Sequence, residues 1–179
     1  LYTYFPFDKS IYGTMSTLRT ALYIPGLLRN HGLRLRYESD YQRPEKLILY
    51  NRANFPRGYD NIISEDLKLF SADYVMPLAY PDLNIPAFLY VKRIRGGLFY
   101  DYAKGKDNTY LESNTFVKGL DTFKSFGTEL LADFFVLRIP FMISGGVQVS
   151  WKNINETPSL KILMSLDIYG MMIGRYRME

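Results

Sequence analysis

Apolar and polar side chains alternate along most of this chain. From Thr14 to Ile24, Leu18, Thr20, Leu22 and Ile24 fall on one face, and Thr17, Arg19, Ala21 and Tyr23 on the other. A period of two is that of a strand. Leu33 to Tyr41 repeats it, with Leu33, Leu35, Tyr37 and Tyr41 opposite Arg34, Arg36, Glu38 and Asp40. Asp66 to Leu78 sets Phe70, Ala72, Tyr74 and Met76 against Leu69, Ser71 and Asp73. In Ala87 to Lys104 the even positions Phe88, Tyr90, Ile94, Leu98, Tyr100 and Tyr102 are apolar or aromatic, and the odd ones include Arg93, Arg95, Phe99 and Asp101. Ser125 to Arg138, Phe141 to Trp151 and Leu160 to about Tyr176 continue the pattern, with Glu129 and Asp133 on the polar side of the first. Residues 1 to 13 are aromatic and irregular and receive no assignment.

Seven strands are therefore expected. The segments starting at Ala87, Ser125 and Leu160 outrun the roughly nine to eleven residues of a tilted membrane-crossing strand, and they are longer than the strands of soluble sandwiches. Apart from Lys92 near one end, their apolar faces stay apolar, while each opposite face carries charge. This predicts an all-β fold, an antiparallel transmembrane β-barrel. Bacterial barrels of this kind take an even strand number, so the segments are read as the last seven or eight strands of a larger barrel of about 16. Leu1 to Phe7 is the alternative eighth strand. A single barrel region covers residues 1–179, and the start at Leu1 without Met or a signal region reads as a mature chain or an excised portion.

Two connections are long. Residues 42–65 form a lumen or surface loop carrying Phe55-Pro56-Arg57-Gly58-Tyr59, in which Pro56 lacks the amide a central ladder needs and Gly58 allows unusual backbone angles. Connections of that length are more often functional than decorative. Gly105 to Asp121 is polar and reads as a large mobile loop.

Composition narrows the function. The net charge of +4 is mild, and no Lys/Arg run exceeds two, so no nucleic-acid stripe is visible. There is no cysteine and one histidine, which leaves almost nothing for thiol, triad or metal chemistry. The expectation is a non-enzyme without cofactor or metal. No apolar run is long enough for a transmembrane helix, and a mean hydropathy of -0.13 suits a barrel whose faces alternate.

The order of features resembles the carboxy-terminal half of the barrel in the bacterial outer-membrane surface-antigen superfamily, which includes the outer-membrane protein insertase and two-partner secretion transporters. Arg57-Gly58-Tyr59 looks like that family's Arg-Gly-aromatic lumen loop. Ser71-Ala72-Asp73-Tyr74-Val75-Met76-Pro77-Leu78, Gly96-Gly97-Leu98-Phe99-Tyr100-Asp101-Tyr102 and Ser125-Phe126-Gly127-Thr128-Glu129-Leu130 are similar to the strands that follow it. The likeness covers about residues 55 to 177. Variants of such barrels are fused to other periplasmic domains. The resemblance implies an outer-membrane location, lipid as a partner, and a role in protein assembly or translocation with unfolded or secreted polypeptides and other assembly subunits. The alternatives are a passive diffusion channel and a soluble β-barrel ligand-binding protein.

An arginine entering a barrel needs acceptors. Asp101, Glu129 and Asp133 share polar faces, with Asp73 a further candidate, so Arg57 is expected to dock on Asp101 and on Glu129 or Asp133. Arg34, Arg36, Arg93 and Arg95 are read as a basic lumen wall, or as cross-strand partners of Glu38 and Asp40.

Overall fold

The computed structural model describes residues 2–3, 14–43, 50–59, 63–86, 88–112, 115–137 and 141–167. These residues form strands β1 (Tyr2–Thr3), β2 (Thr14–Pro25), β3 (Gly32–Arg43), β4 (Asp66–Ala79), β5 (Leu83–Ile85), β6 (Leu89–Glu112), β7 (Thr115–Val136), β8 (Met142–Trp151) and β9 (Ser159–Asp167). All nine belong to one antiparallel sheet in the order β1-β2-β3-β4-β6-β7-β8-β9, with the short β5 also paired to β6. Among the described residues no pairing joins β9 to β1. The fold is all-β, as the alternation requires.

The alternation reproduces the faces, but three details depart from it. The stretch expected as a large loop at Gly105 to Asp121 is instead the outer part of the β6–β7 hairpin, with Tyr110 opposite Val117 and Leu111 opposite Phe116. Thr, Tyr, Phe and Val at these positions favour strand, and the surrounding polar residues obscured that preference. β5 was not expected after Tyr80-Pro81-Asp82; Asp82 takes φ 43°, and Leu83 to Ile85 then pairs with Val91 to Leu89. Finally, a register shift between Val91 and Arg93 marks Lys92 as an irregular position. It puts Val91, rather than Lys92, opposite Phe134, because one extra residue in a strand reverses the faces beyond it. The last strand is described to Asp167, and the rest of its expected span, to about Tyr176, lies outside the described residues, as do Leu1 and most of the expected eighth strand at Leu1 to Phe7.

Burial is distributed in reverse of an ordinary soluble sheet. Leu18, Leu22, Tyr37, Phe70, Leu98, Tyr100, Phe126, Leu130, Val147 and Ile162 share the exposed face. Leu98 is 53% and Ile162 85% exposed. Glu38, Asp40, Ser71, Asp73, Asp101, Ser125, Asp133, Gln148 and Ser150 lie on the other face and are buried. Residues 50–59 cover part of that polar face. From this loop Ala53 joins Leu67, Leu69, Ala103 and Phe123 of the sheet in a small apolar core, with Phe55 and Tyr59 packed against it. A polar face can be buried only if its charges find partners, and those partners define the site.

Candidate functional site

The loop is pinned from both sides of its Arg-Gly-Tyr turn. On the β3 side, Asp40 Oδ2 accepts the Ala53 amide at 2.6 Å. Glu38 accepts the Asn54 amide and side chain, each at 2.8 Å. The chain then turns at Pro56, whose carbonyl accepts the Tyr59 amide at 3.3 Å.

Arg57 reaches three acids on three strands. Its backbone amide and Nε donate to Asp101 Oδ2 at 3.0 and 2.8 Å, and Nη2 donates to Asp101 Oδ1 at 2.7 Å. Nη2 also lies 2.6 Å from Asp73 Oδ1, and Nη1 3.1 Å from Glu129 Oε1. The guanidinium carbon stands 3.6 Å from the centre of the Phe99 ring, a cation–π contact. Burial works against the charge of Arg57. The hydrogen bonds and charge of Asp101, followed by those of Asp73, outweigh it and raise the guanidinium above its ordinary value.

Gly58 and Tyr59 have separate structural roles. Gly58 takes φ 87°, a conformation that favours glycine, and a Cβ there would sit 2.7 Å from Ser150 Oγ. Tyr59 stacks edge-on against Phe55 and Phe123, with ring centres 6.4 and 5.3 Å away, and its hydroxyl donates to the Lys124 carbonyl at 3.0 Å. Gly127 makes room beneath the arginine: a Cβ there would lie 2.5 Å from Phe99 Cζ and 2.1 Å from the Val149 carbonyl.

Of the acids expected around Arg57, Asp73, Asp101 and Glu129 are brought to it, and Asp133 is not. Asp133, fully buried, instead pairs with Arg93 and with Arg95, the latter at 2.7 Å, and accepts the Ser144 hydroxyl at 2.5 Å. The four arginines of the expected basic wall are all ion-paired. Arg34 contacts Asp73 at 3.0 Å, Arg36 contacts Asp73 and Glu38 at 3.3 and 3.5 Å, and Arg93 and Arg95 share Asp133. Of the two acids expected as alternative partners, Glu38 does pair with Arg36, and Asp40 pairs with none of the four among the described contacts. Glu38 pairs with Arg19 at 3.4 Å as well as with Arg36, while Asp40 holds the loop. A continuous chain of charges thus runs from Arg19 on β2 through Glu38, Arg36 and Asp73 to Arg57, Asp101 and Glu129. It ends at Gln148 on β8, which donates to Glu129 at 2.5 Å.

Phe99, Glu38 and Asp40 were not expected as part of this site. Phe99 carried a visible signal, an aromatic ring among Arg95, Gly97 and Asp101 on an otherwise polar face.

No protein-family model matches this chain, nor does any curated protein or solved structure.

Proposed function

We propose that this chain is part of a bacterial outer-membrane β-barrel that serves the assembly or translocation of proteins, with residues 50–59 docked in its lumen. The observation that carries the membrane part is the reversed sheet. Leucine, isoleucine, valine and aromatic side chains stay exposed across β2 to β9, while Glu38, Asp40, Asp73, Asp101 and Asp133 are buried on the other face, where half-buried arginines pair with most of them. Water does not favour that partition, whereas a lipid-facing exterior and a polar interior do. No described helix is long and apolar enough to cross a membrane, which has no bearing on strands.

The transport part rests on the ordered motifs from Arg57 to Leu130, and on a loop tied to four strands and occupying the polar face. Such a loop favours this reading over a passive diffusion channel, which needs an open path.

The test is behaviour without lipid. The expected result is that the full chain stays folded and monodisperse only in detergent or bilayers, with single cysteines at Leu98 and Ile162 labelled by membrane-confined reagents. Monodisperse folded protein in plain buffer would reject the membrane reading in favour of a soluble ligand-binding barrel. A large, steady single-channel conductance in a planar bilayer would favour the passive channel.

A further inference from the structure

A cavity of about 510 Å³ lies on the polar face near the turn between β2 and β3, at the strand ends away from the Phe123 cluster. Its volume is in the range of small-molecule sites, roughly 300–1,000 Å³. Tyr23, Val75 and Leu131 supply apolar wall, and Arg34, Arg95 and Glu129 line the same space.

The charge around it is unbalanced. Asp73 is shared by Arg34, Arg36 and Arg57, and Asp133 by Arg93 and Arg95. Arg57 finds further compensation in Asp101 and Glu129, neither of which pairs with Arg34 or Arg95 among the described contacts. Glu129 faces the cavity, but its Oε1 already accepts Arg57 Nη1 and Gln148 Nε2. Four arginines besides Arg57 therefore meet three carboxylates, Asp73, Asp133 and Glu38, the last shared with Arg19; among the described residues Arg34 and Arg95 each have a single carboxylate partner, and both open onto an apolar-walled space. Guanidinium forks match phosphate and carboxylate oxygens.

We propose that this cavity binds a small anionic amphiphile. Its phosphate or carboxylate head contacts Arg34 and Arg95, and its apolar part lies against Tyr23, Val75 and Leu131. The site does not depend on the membrane reading, because a soluble barrel with the same polar interior would hold the same cavity.

The experiment is native mass spectrometry of the full chain released from dodecyl maltoside micelles, with octyl phosphate as the probe. One octyl phosphate per chain is expected, with affinity falling at least about tenfold in the Arg34→Gln/Arg95→Gln variant, since both charge-assisted hydrogen bonds to the head group are lost. Arg19→Gln, which removes a paired cation outside the cavity, should leave binding unchanged. The double variant keeps Arg36 and Arg57 on Asp73 and Arg93 on Asp133, so its circular dichroism should match the parent. If it does not, the two single variants and the Arg34→Lys/Arg95→Lys variant take its place, each single loss weakening binding and the lysines restoring part of it. Equal affinity in the glutamine and parent forms overturns the proposal, as does absence of any octyl phosphate binding. Inorganic phosphate binding as tightly as octyl phosphate, or octanol displacing it at equal concentration, would also overturn it, by removing the need for the apolar wall or for the charge.

Discussion

Arg57 and Asp101 are joined by three hydrogen bonds, at 2.7, 2.8 and 3.0 Å, of which one comes from the Arg57 backbone. Asp101 is 2% exposed, so Arg57→Ala leaves a buried carboxylate without its main partner. A loss of about 3–5 kcal/mol is expected. Arg57→Lys should recover only part of it, because an ammonium cannot reproduce the bidentate fork. Chemical unfolding in detergent measures both, and an Arg57→Ala protein as stable as the parent would refute the role of the pair.

Asp133 should behave as an independent unit. Combining Arg57→Ala with Asp133→Asn is expected to give additive losses within about 0.5 kcal/mol, because the two residues share no partner. Combining Arg57→Ala with Asp101→Asn should show strong coupling, with the second change costing much less than it does alone. The two double-mutant cycles, compared directly, check this assignment.

Gly58→Ala is expected to lift the loop. The φ of 87° costs a residue with a Cβ about 1 kcal/mol, and that Cβ would crowd Ser150. Global unfolding should change little, while limited proteolysis within residues 50–59 should speed up severalfold. Gly58→Ala combined with Ser150→Gly relieves the crowding but not the backbone strain, so protection should return only in part.

Leu98→Arg tests what surrounds the exposed face. In a bilayer it is expected to cost about 2–4 kcal/mol, as for a cation at the midplane of a barrel exterior. If Leu98 instead meets water, the change should fall within about 0.5 kcal/mol. Folding into lipid vesicles, followed by gel mobility without heating, distinguishes the outcomes.

How much of this could be read from the sequence depends on what alternation encodes. It fixes which face each side chain takes, so the polar faces carrying Asp73, Asp101 and Glu129 and the apolar face of Leu98 and Tyr100 were legible. It does not fix position along a neighbouring strand. Asp133 shares a face with Glu129 but lies four residues away, roughly 13 Å along the strand, and only the register puts it beside Arg93 instead of Arg57. The irregular register at Lys92 and the extension of the β6–β7 hairpin were hidden for a related reason. Each depends on backbone pairing between two segments, and in the hairpin extension a polar composition also resembles that of a loop. The loop-anchoring roles of Glu38 and Asp40 were hidden as well, because charges on an alternating strand look alike whether they meet a neighbouring strand or a separate loop.

The reach of Arg57 also sets an order in time. Its acids come from β4, β6 and β7, and Glu129 lies 72 positions further along the chain. Contacts over such separations form late, after the intervening strands have paired. Arg57 can meet Asp73 and Asp101 once β4 and β6 are in place, but its contact with Glu129 and that of Tyr59 with Lys124 wait until β7 has joined the sheet. The fully docked arginine is then a record that β4, β6 and β7 have come together, and the protection of this loop reports when the last of these strands has arrived.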